Sequence, residues 1–372
     1  MTRQTIYTIK YIGLVVSLLL FALAVSCQTK NGGNEPTPNP DTTSTNPGGV
    51  VFNPTAVPFP QPANFPIPVY NLSQNPLTTQ GVALGKALFY DPQLSRDSTI
   101  SCGFCHQQFA GFAHSDHALS HGIDSKFGPR NVPSIQNMAW SREFFWDGGV
   151  TDLNTLSIAP LTNPVEMDMK FADVLARVQQ SPKYPGMFTA AFGSDTVTTA
   201  RFLKAIAQFV VTMVSADSRY DKYVRNESGG TLTSDELAGL TLFKQKCATC
   251  HAMDLFTDYS YRNNGLPVGS INDQGRFIIT QNEVDRLKFK VPSLRNVERT
   301  FPYMHDGRFS TLEQILDHYT SGVKDSPTLD PLLKADGRLG IAMTDTEKKQ
   351  IISFLKTLTD NTFLTNRKLS AN

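Results

Sequence analysis

The sequence predicts a mainly α-helical protein of two domains, and three observations carry that expectation. Apolar residues recur three to four apart in several separated segments, the spacing that lines one face of a helix. No run alternates apolar and polar residues over the length of a strand. The pattern Cys-x-x-Cys-His occurs twice, as Cys102-Gly103-Phe104-Cys105-His106 and as Cys247-Ala248-Thr249-Cys250-His251, once in each half of the chain. At 372 residues the chain can bury two cores; its net charge of +1 gives no field to recruit nucleic acid or an acidic partner.

Residues 1–26 read as a signal peptide. Arg3 and Lys10 precede an apolar run from Tyr11 to Val25, and the small residue Ser26 stands before Cys27. Ala24-Val25-Ser26-Cys27 resembles a bacterial lipobox, which implies cleavage before Cys27, its acylation, and a mature chain lipid-anchored to a bacterial membrane in the periplasm or cell envelope. An uncleaved transmembrane anchor is the alternative, and the run is short for a bilayer. Residues 27–60 are rich in Asn, Thr, Pro and Gly and poor in large apolar groups, a composition that cannot offset its ordering entropy and reads as a flexible tether.

The N-terminal domain is expected over 61–228, with order starting near Pro66. A helix over 78–90 is stopped by Asp91-Pro92; Gly- and Pro-punctuated loops follow the first Cys-x-x-Cys-His motif. Further helices are expected over 171–180 and 199–223. Asn226-Glu227-Ser228-Gly229-Gly230 marks the boundary, and the C-terminal domain is expected over 229–372. There Thr233 and Glu236 form a capping box for a helix over 237–246 that delivers Cys247. Closing helices are expected over 311–319 and 344–358, each led by a threonine.

Cys-x-x-Cys-His is the attachment signature of a c-type haem: the thiols bond the haem edge and the histidine ligates the iron. Of five cysteines, four belong to the two motifs and Cys27 to the lipid anchor, so none remains for a disulfide framework. A zinc site would need four donors converging, whereas each motif carries its own histidine. The sequence therefore predicts two covalently bound c-type haems, held by Cys102, Cys105 and His106 and by Cys247, Cys250 and His251, in two cytochrome c-like haem domains.

A two-haem redox enzyme needs one iron with an open position beside an acid–base, and a second iron with both axial positions filled. Glu166 lies among apolar neighbours, where desolvation would raise its pKa; read alone it is an exposed glutamate. Trp146, after Phe144 and Phe145, reads alone as core. His114, His117 and His121 share a Gly- and Ser-rich loop, where the first two are expected to be mostly solvated. Asn131 read alone caps a turn. For the second iron, Met304, His318, Tyr319 and Met343 are candidates by proximity. Tyr319 extends the apolar stripe of Leu312, Ile315 and Leu316, and His318 lies about 100° round the helix from it.

The two motifs, His121-Gly122 followed by GPRNVPS at 128–134, FFWDGG at 144–149, PLTNPVEM at 160–167, TFPYMHDGRFSTLE at 300–313 and the terminal helix together resemble the bacterial di-haem cytochrome c peroxidases and their relative MauG, over roughly 81–358. The resemblance implies reduction of hydrogen peroxide at the N-terminal haem, with electrons relayed from the C-terminal haem. The donor would be a small redox protein, a cytochrome c or a cupredoxin, and the assembly a homodimer. Glu166 would be the catalytic acid–base and Trp146 the relay between the haems. His121 would cap the first iron in a resting form. Asn131, Thr300 and Pro302 would hold a calcium ion. Midway between Trp146 and Glu166 the family usually has a Gln, where this chain has Leu156. Where the peroxidases place a Met on the second iron, this chain has Tyr319, as in MauG. That leaves two alternatives to a peroxidase: a MauG-like oxidase acting on a partner protein or organic substrate, and a non-catalytic di-haem electron carrier.

Overall fold

The structure is a computed structural model and describes residues 49 and 51–371; the leader, Cys27 and most of the expected tether lie outside the described residues. The described end of that tether is tied down. Ala56 pairs with Thr78, Val57 N donates to Leu77 O at 2.9 Å, and the Phe59 ring lies 5.4 Å from that of Trp140. Composition hides this because backbone bonds do not depend on side-chain type.

Helix α1 (Thr79–Phe89) opens on Thr78, whose hydroxyl accepts from Gly81 N at 3.0 Å. The first motif forms a single turn, α2 (Cys102–Cys105), and another short turn, α3 (Ile158–Thr162), follows a long loop region. Helix α4 (Phe171–Gln180) buries Val174 and Val178, and α5 (Tyr184–Phe192), absent from the sequence expectation, ends on Gly193 at φ 75°.

The single helix expected over 199–223 is two: α6 (Thr199–Val211) and α7 (Arg219–Val224). Ser215 between them trades backbone bonds with Asn137, and Ser218 with Asp221 caps α7 in a capping box.

In the second half, α8 (Ser234–Lys246) carries the Thr233–Glu236 capping box and leads into Cys247. Strands β1 (Tyr261–Arg262) and β2 (Phe289–Lys290) pair antiparallel across the short α9 (Phe277–Thr280). Helix α10 (Leu312–Asp317) is boxed by Thr311 and Gln314, and α11 (Asp345–Lys356) by Thr344 and Glu347; α12 (Asn361–Leu364) follows.

The two halves repeat one packing device. In α1, Gly85 lies against Ala205 of α6, where a Cβ would overlap the Ala205 carbonyl oxygen and crowd Phe209. In α8, Gly239 lies in the same way against Gln350 of α11, with Phe354 in the place of Phe209. In each half, then, the helix leading to a Cys-x-x-Cys-His motif crosses a later helix at a glycine, with backbones in contact.

Two main hydrophobic clusters result. One gathers Leu84, Leu88, Phe89, Phe112, Phe188, Phe202 and Phe209, with Phe363 and Leu364 of α12 returning to it. The other gathers Tyr220, Leu240, Phe243, Phe256, Leu312, Ile351 and Phe354. Arg295, 0% exposed, joins them: its guanidinium lies 4.4 Å from the Phe65 ring and 5.6 Å from that of Phe256. Two parallel bonds of 2.8 Å tie it to Asp221, and Nε donates to Asp254 O at 2.6 Å.

Candidate functional site

The two Cys-x-x-Cys-His motifs present their histidines alike. His106 Nδ1 lies 2.8 Å from Phe112 O, and His251 Nδ1 lies 3.1 Å from Phe256 O. Both phenylalanines are fully buried and sit at positive φ, 59° and 54°, which turns their carbonyls inward. A carbonyl at Nδ1 accepts its proton and leaves the Nε2 lone pair for a metal. Burial pushes His106 down to about 4 and lowers His251 as well, so both rings are neutral at ordinary pH.

The thiols are half-buried. Desolvation pushes Cys102, Cys105 and Cys247 up to about 12 and raises Cys250. Zinc would require thiolates, which these surroundings disfavour, and among the described residues no cluster of three metal donors includes a motif cysteine. Protonated paired thiols beside a neutral histidine with a fixed tautomer fit covalent haem attachment.

Glu166 lies just past α3. Asn163 Nδ2 donates to its Oε1 at 2.8 Å. Burial raises the Glu166 pKa above the ordinary carboxylate value, against a smaller downward pull from Asn163. The carboxylate stands close enough to Cys102 and Cys105 to push both thiols further up. Gly122 lies directly over its backbone: Ile123 N donates to Glu166 O at 2.9 Å, and a Cβ on Gly122 would overlap the Glu166 backbone. The His121 loop and the Glu166 loop are therefore stapled together beside the first motif. Leu156 packs on the first core and brings no polar group there.

His121 stands with its ring 5.2 Å from that of Phe104 inside the first motif, and its carbonyl accepts from Cys105 Sγ at 3.5 Å. His117 is exposed as expected, but His114 is buried, 2% exposed, against the expectation of a solvated residue. Its ring lies 5.8 Å from that of Phe104 in the first motif, and Ala113 before it pairs with Gln107.

Trp146 bridges the halves. Its Nε1 donates to Asn131 O at 2.9 Å, and its own carbonyl accepts from Lys290 N at 2.7 Å. Burial pushes the Lys290 amine down to about 8, although Glu143 and Asp147 pull it up. Asn131 donates from Nδ2 to His117 O and Ala118 O, both at 3.1 Å, and from its backbone to His305 O at 2.7 Å. That last bond ties Asn131 to the chain a few residues after Pro302.

The helix expected over 311–319 changes form after Asp317: residues His318–Gly322 make a wider, π-helical turn. It is His318 that is buried, while the Tyr319 ring is half-buried against Val323, Leu329 and Leu333 with its hydroxyl in the interior. Burial pushes that hydroxyl up to about 12, with the Cys250 and Cys247 thiols adding and Asn264 opposing by a side-chain bond. Asn264, unmarked in the sequence, also donates to Met304 Sδ at 3.5 Å, and its carbonyl lies 3.0 Å from His318 Nε2. Three of the four candidate ligands thus share one asparagine, while Met343 packs on the second core instead. A cavity of about 240 Å³ opens beside Asn264, His305 and Phe289.

Comparison with known proteins gives the same direction. The sequence model of the family described as di-haem cytochrome c peroxidase matches residues 79–229. The chain is 36% identical to the methylamine utilization protein MauG of Methylorubrum extorquens over 304 residues, 81% of this chain and 83% of that protein. It is 38% identical to the cytochrome c551 peroxidase of Nitrosomonas europaea over 280 residues, 74% of this chain and 79% of that one. The crystal structure of a MauG-like protein associated with microbial copper homeostasis superposes with a TM-score of 0.76 at 32% identity, covering 85% of this chain and 99% of that one.

Proposed function

Because the chain belongs to the family of the di-haem cytochrome c peroxidases and MauG, which implies two c-type haems, we propose that it is a peroxidase reducing hydrogen peroxide on its N-terminal side. Cys102, Cys105 and His106 hold one haem in a domain of residues 61–228. Cys247, Cys250 and His251 hold the other in a domain of residues 229–372. When bound, the haems supply redox-active irons that exchange electrons with peroxide and with a donor. Reduction of one peroxide consumes two electrons and two protons and releases two waters, and the electrons come from a small redox protein.

The observation that carries this reading is the placement of Glu166. Its carboxyl is desolvated, fixed by Asn163 and beside the first motif, so it can take a proton from one peroxide oxygen and return it to the other. Trp146, bonded to backbone from both halves, is the route between them. Calcium at Asn131, Thr300 and Pro302 would brace that junction. Cys27 would carry the lipid anchor that places the enzyme in the cell envelope, and pairing as a homodimer follows the family resemblance.

A second reading rests on Tyr319. A tyrosine on the second iron in place of a thioether supplies an anionic oxygen, which favours high oxidation states and a low potential. That pattern suits MauG-like oxidation of a partner protein or organic substrate.

The test is E166Q in the chain with both haems attached. Peroxide consumption with a reduced cytochrome c or cupredoxin as donor should fall about 10²-fold, the scale of a lost acid–base. Unchanged turnover removes Glu166 as the acid–base, and absence of peroxide consumption by the unsubstituted chain with any redox-protein donor removes the peroxidase reading. Peroxide-dependent oxidation of an organic reductant, with no turnover supported by redox proteins, favours the oxidase.

A further inference from the structure

Three imidazoles converge outside the two haem motifs. His114, His117 and His121 each offer a ring nitrogen, and these nitrogens all lie within 4.8 Å of one another. Their rings stand 4.3 Å (His114–His117), 4.6 Å (His117–His121) and 5.1 Å (His114–His121) apart. Among the described residues this is the one group of three metal-capable side chains at such distances, and it contains no carboxylate.

His114 is 2% exposed, yet its Nδ1 is buried without a hydrogen-bond partner. Buried polar atoms are nearly always paired, so an orphaned nitrogen on a ring of this histidine cluster points to a ligand. His117 Nδ1 lies 3.0 Å from Ser115 O, which leaves its Nε2 free. The loop is already held in shape: Asn131 Nδ2 donates to His117 O and Ala118 O, Ser120 N to Arg130 O at 2.8 Å, and Gly128 N to Ser120 O at 2.7 Å.

We propose that His114, His117 and His121 bind a divalent d-block cation, Zn²⁺ or Cu²⁺. Neutral imidazoles suit these ions, whereas Ca²⁺ and Mg²⁺ require oxygen donors. Nitrogens about 2.0–2.1 Å from a tetrahedral centre stand about 3.3 Å apart, so the three rings must draw together from their separations of up to 4.8 Å to close the site. Three protein ligands leave a fourth position for water, and His117 at the surface gives the entry path. The ion lies next to Phe104, whose ring is 5.8 Å from that of His114 and 5.2 Å from that of His121. An ion there holds the His121 imidazole, which is then not free to cap the first haem iron.

The test uses the chain with both haems attached, stripped with a chelator and titrated with Zn²⁺ alone and, separately, Cu²⁺ alone. One equivalent should bind beyond the haem iron, and competition between the two ions identifies the preferred one. H117A and H121A should each weaken binding at least about tenfold, as losing even a supporting partner of a metal ligand does, with haem content unchanged. Bound Cu²⁺ should show nitrogen coupling in its electron paramagnetic resonance spectrum. Absence of a stoichiometric site, or equal affinity in both variants, overturns the proposal. So does a changed first-haem spectrum in H121A without any loss of Zn²⁺ or Cu²⁺ binding, which would place His121 on iron instead.

Discussion

The Trp146 indole donates from Nε1 to the Asn131 carbonyl at 2.9 Å, while the Trp146 carbonyl accepts from Lys290 of β2 at 2.7 Å. One residue therefore bonds backbone from the loop after the first motif and from the sheet of the second half. W146F keeps an aromatic ring but removes the donor. It should cost about 1 kcal/mol of stability and slow, by about tenfold or more, the rate at which electrons entering at the second haem reach the first. Stopped-flow spectra resolve the two steps. An unchanged rate with lowered stability would reduce Trp146 to a strut.

The Arg295–Asp221 pair, 0% exposed on both sides, should dominate the acid stability of the junction between the clusters. Burial opposes ionisation of Asp221, but the Arg295 fork and Ser218 outweigh it and hold its pKa below the ordinary value. A depressed carboxylate contributes stability above its unfolded pKa, near 3.8, and loses it as pH falls through the lower folded value. D221N leaves Arg295 charged and unpaired, so it should lose about 3–5 kcal/mol at pH 7. Urea titrations at neutral pH and below pH 4 should show the difference between wild type and variant shrinking in acid. An equal gap at both would remove the pair from the acid response.

The paired helix crossings predict paired defects. G85A and G239A each force a methyl into a facing carbonyl, at Ala205 and Gln350. Each should cost at least about 1–3 kcal/mol, the scale of overpacking a tight contact. G269A, whose added Cβ would meet side-chain atoms no closer than 3.6 Å, is the control and should stay within about 0.5 kcal/mol. Thermal unfolding of the three variants decides it; a neutral G239A would mean that α8 and α11 slide apart freely.

What the sequence shows of this fold is what is local in sequence. Thr233, Thr311 and Thr344 cap their helices as expected because each cap closes within three residues. The break between α6 and α7 was not legible, since its causes are Asn137, Asp360 and Arg295, all distant in sequence from Ser215. At the site, the motif residues and Glu166 could be named from spacing and resemblance. The Phe112 and Phe256 carbonyls that orient the histidines could not: bulky residues rarely adopt positive φ, and only the surrounding packing imposes it. A Phe five or six residues past each motif histidine was the one available signal. Asn264 gave none, because its partners come from the 300–319 region.

Tyr319 is where sequence and structure meet least simply. The sequence places it on the apolar stripe of a continuous helix, whereas the π-helical turn re-sets the register and buries His318 instead. The Tyr319 hydroxyl still faces the second motif, close enough for both of its thiols to raise it, and it is bonded by Asn264. A phenol pushed up to about 12 stays protonated at neutral pH in that setting. Only a cation at the oxygen would reverse this, and ferric iron does so by Coulombic attraction to the phenolate. Y319F should therefore change the spectrum of the second haem and leave the first untouched. N264L, which removes the shared amide, should disturb Tyr319 and Met304 together and shift the same spectrum less. If Y319F keeps the native spectrum while a Met304→Leu variant alters it, the thioether is the ligand and the oxidase reading fails.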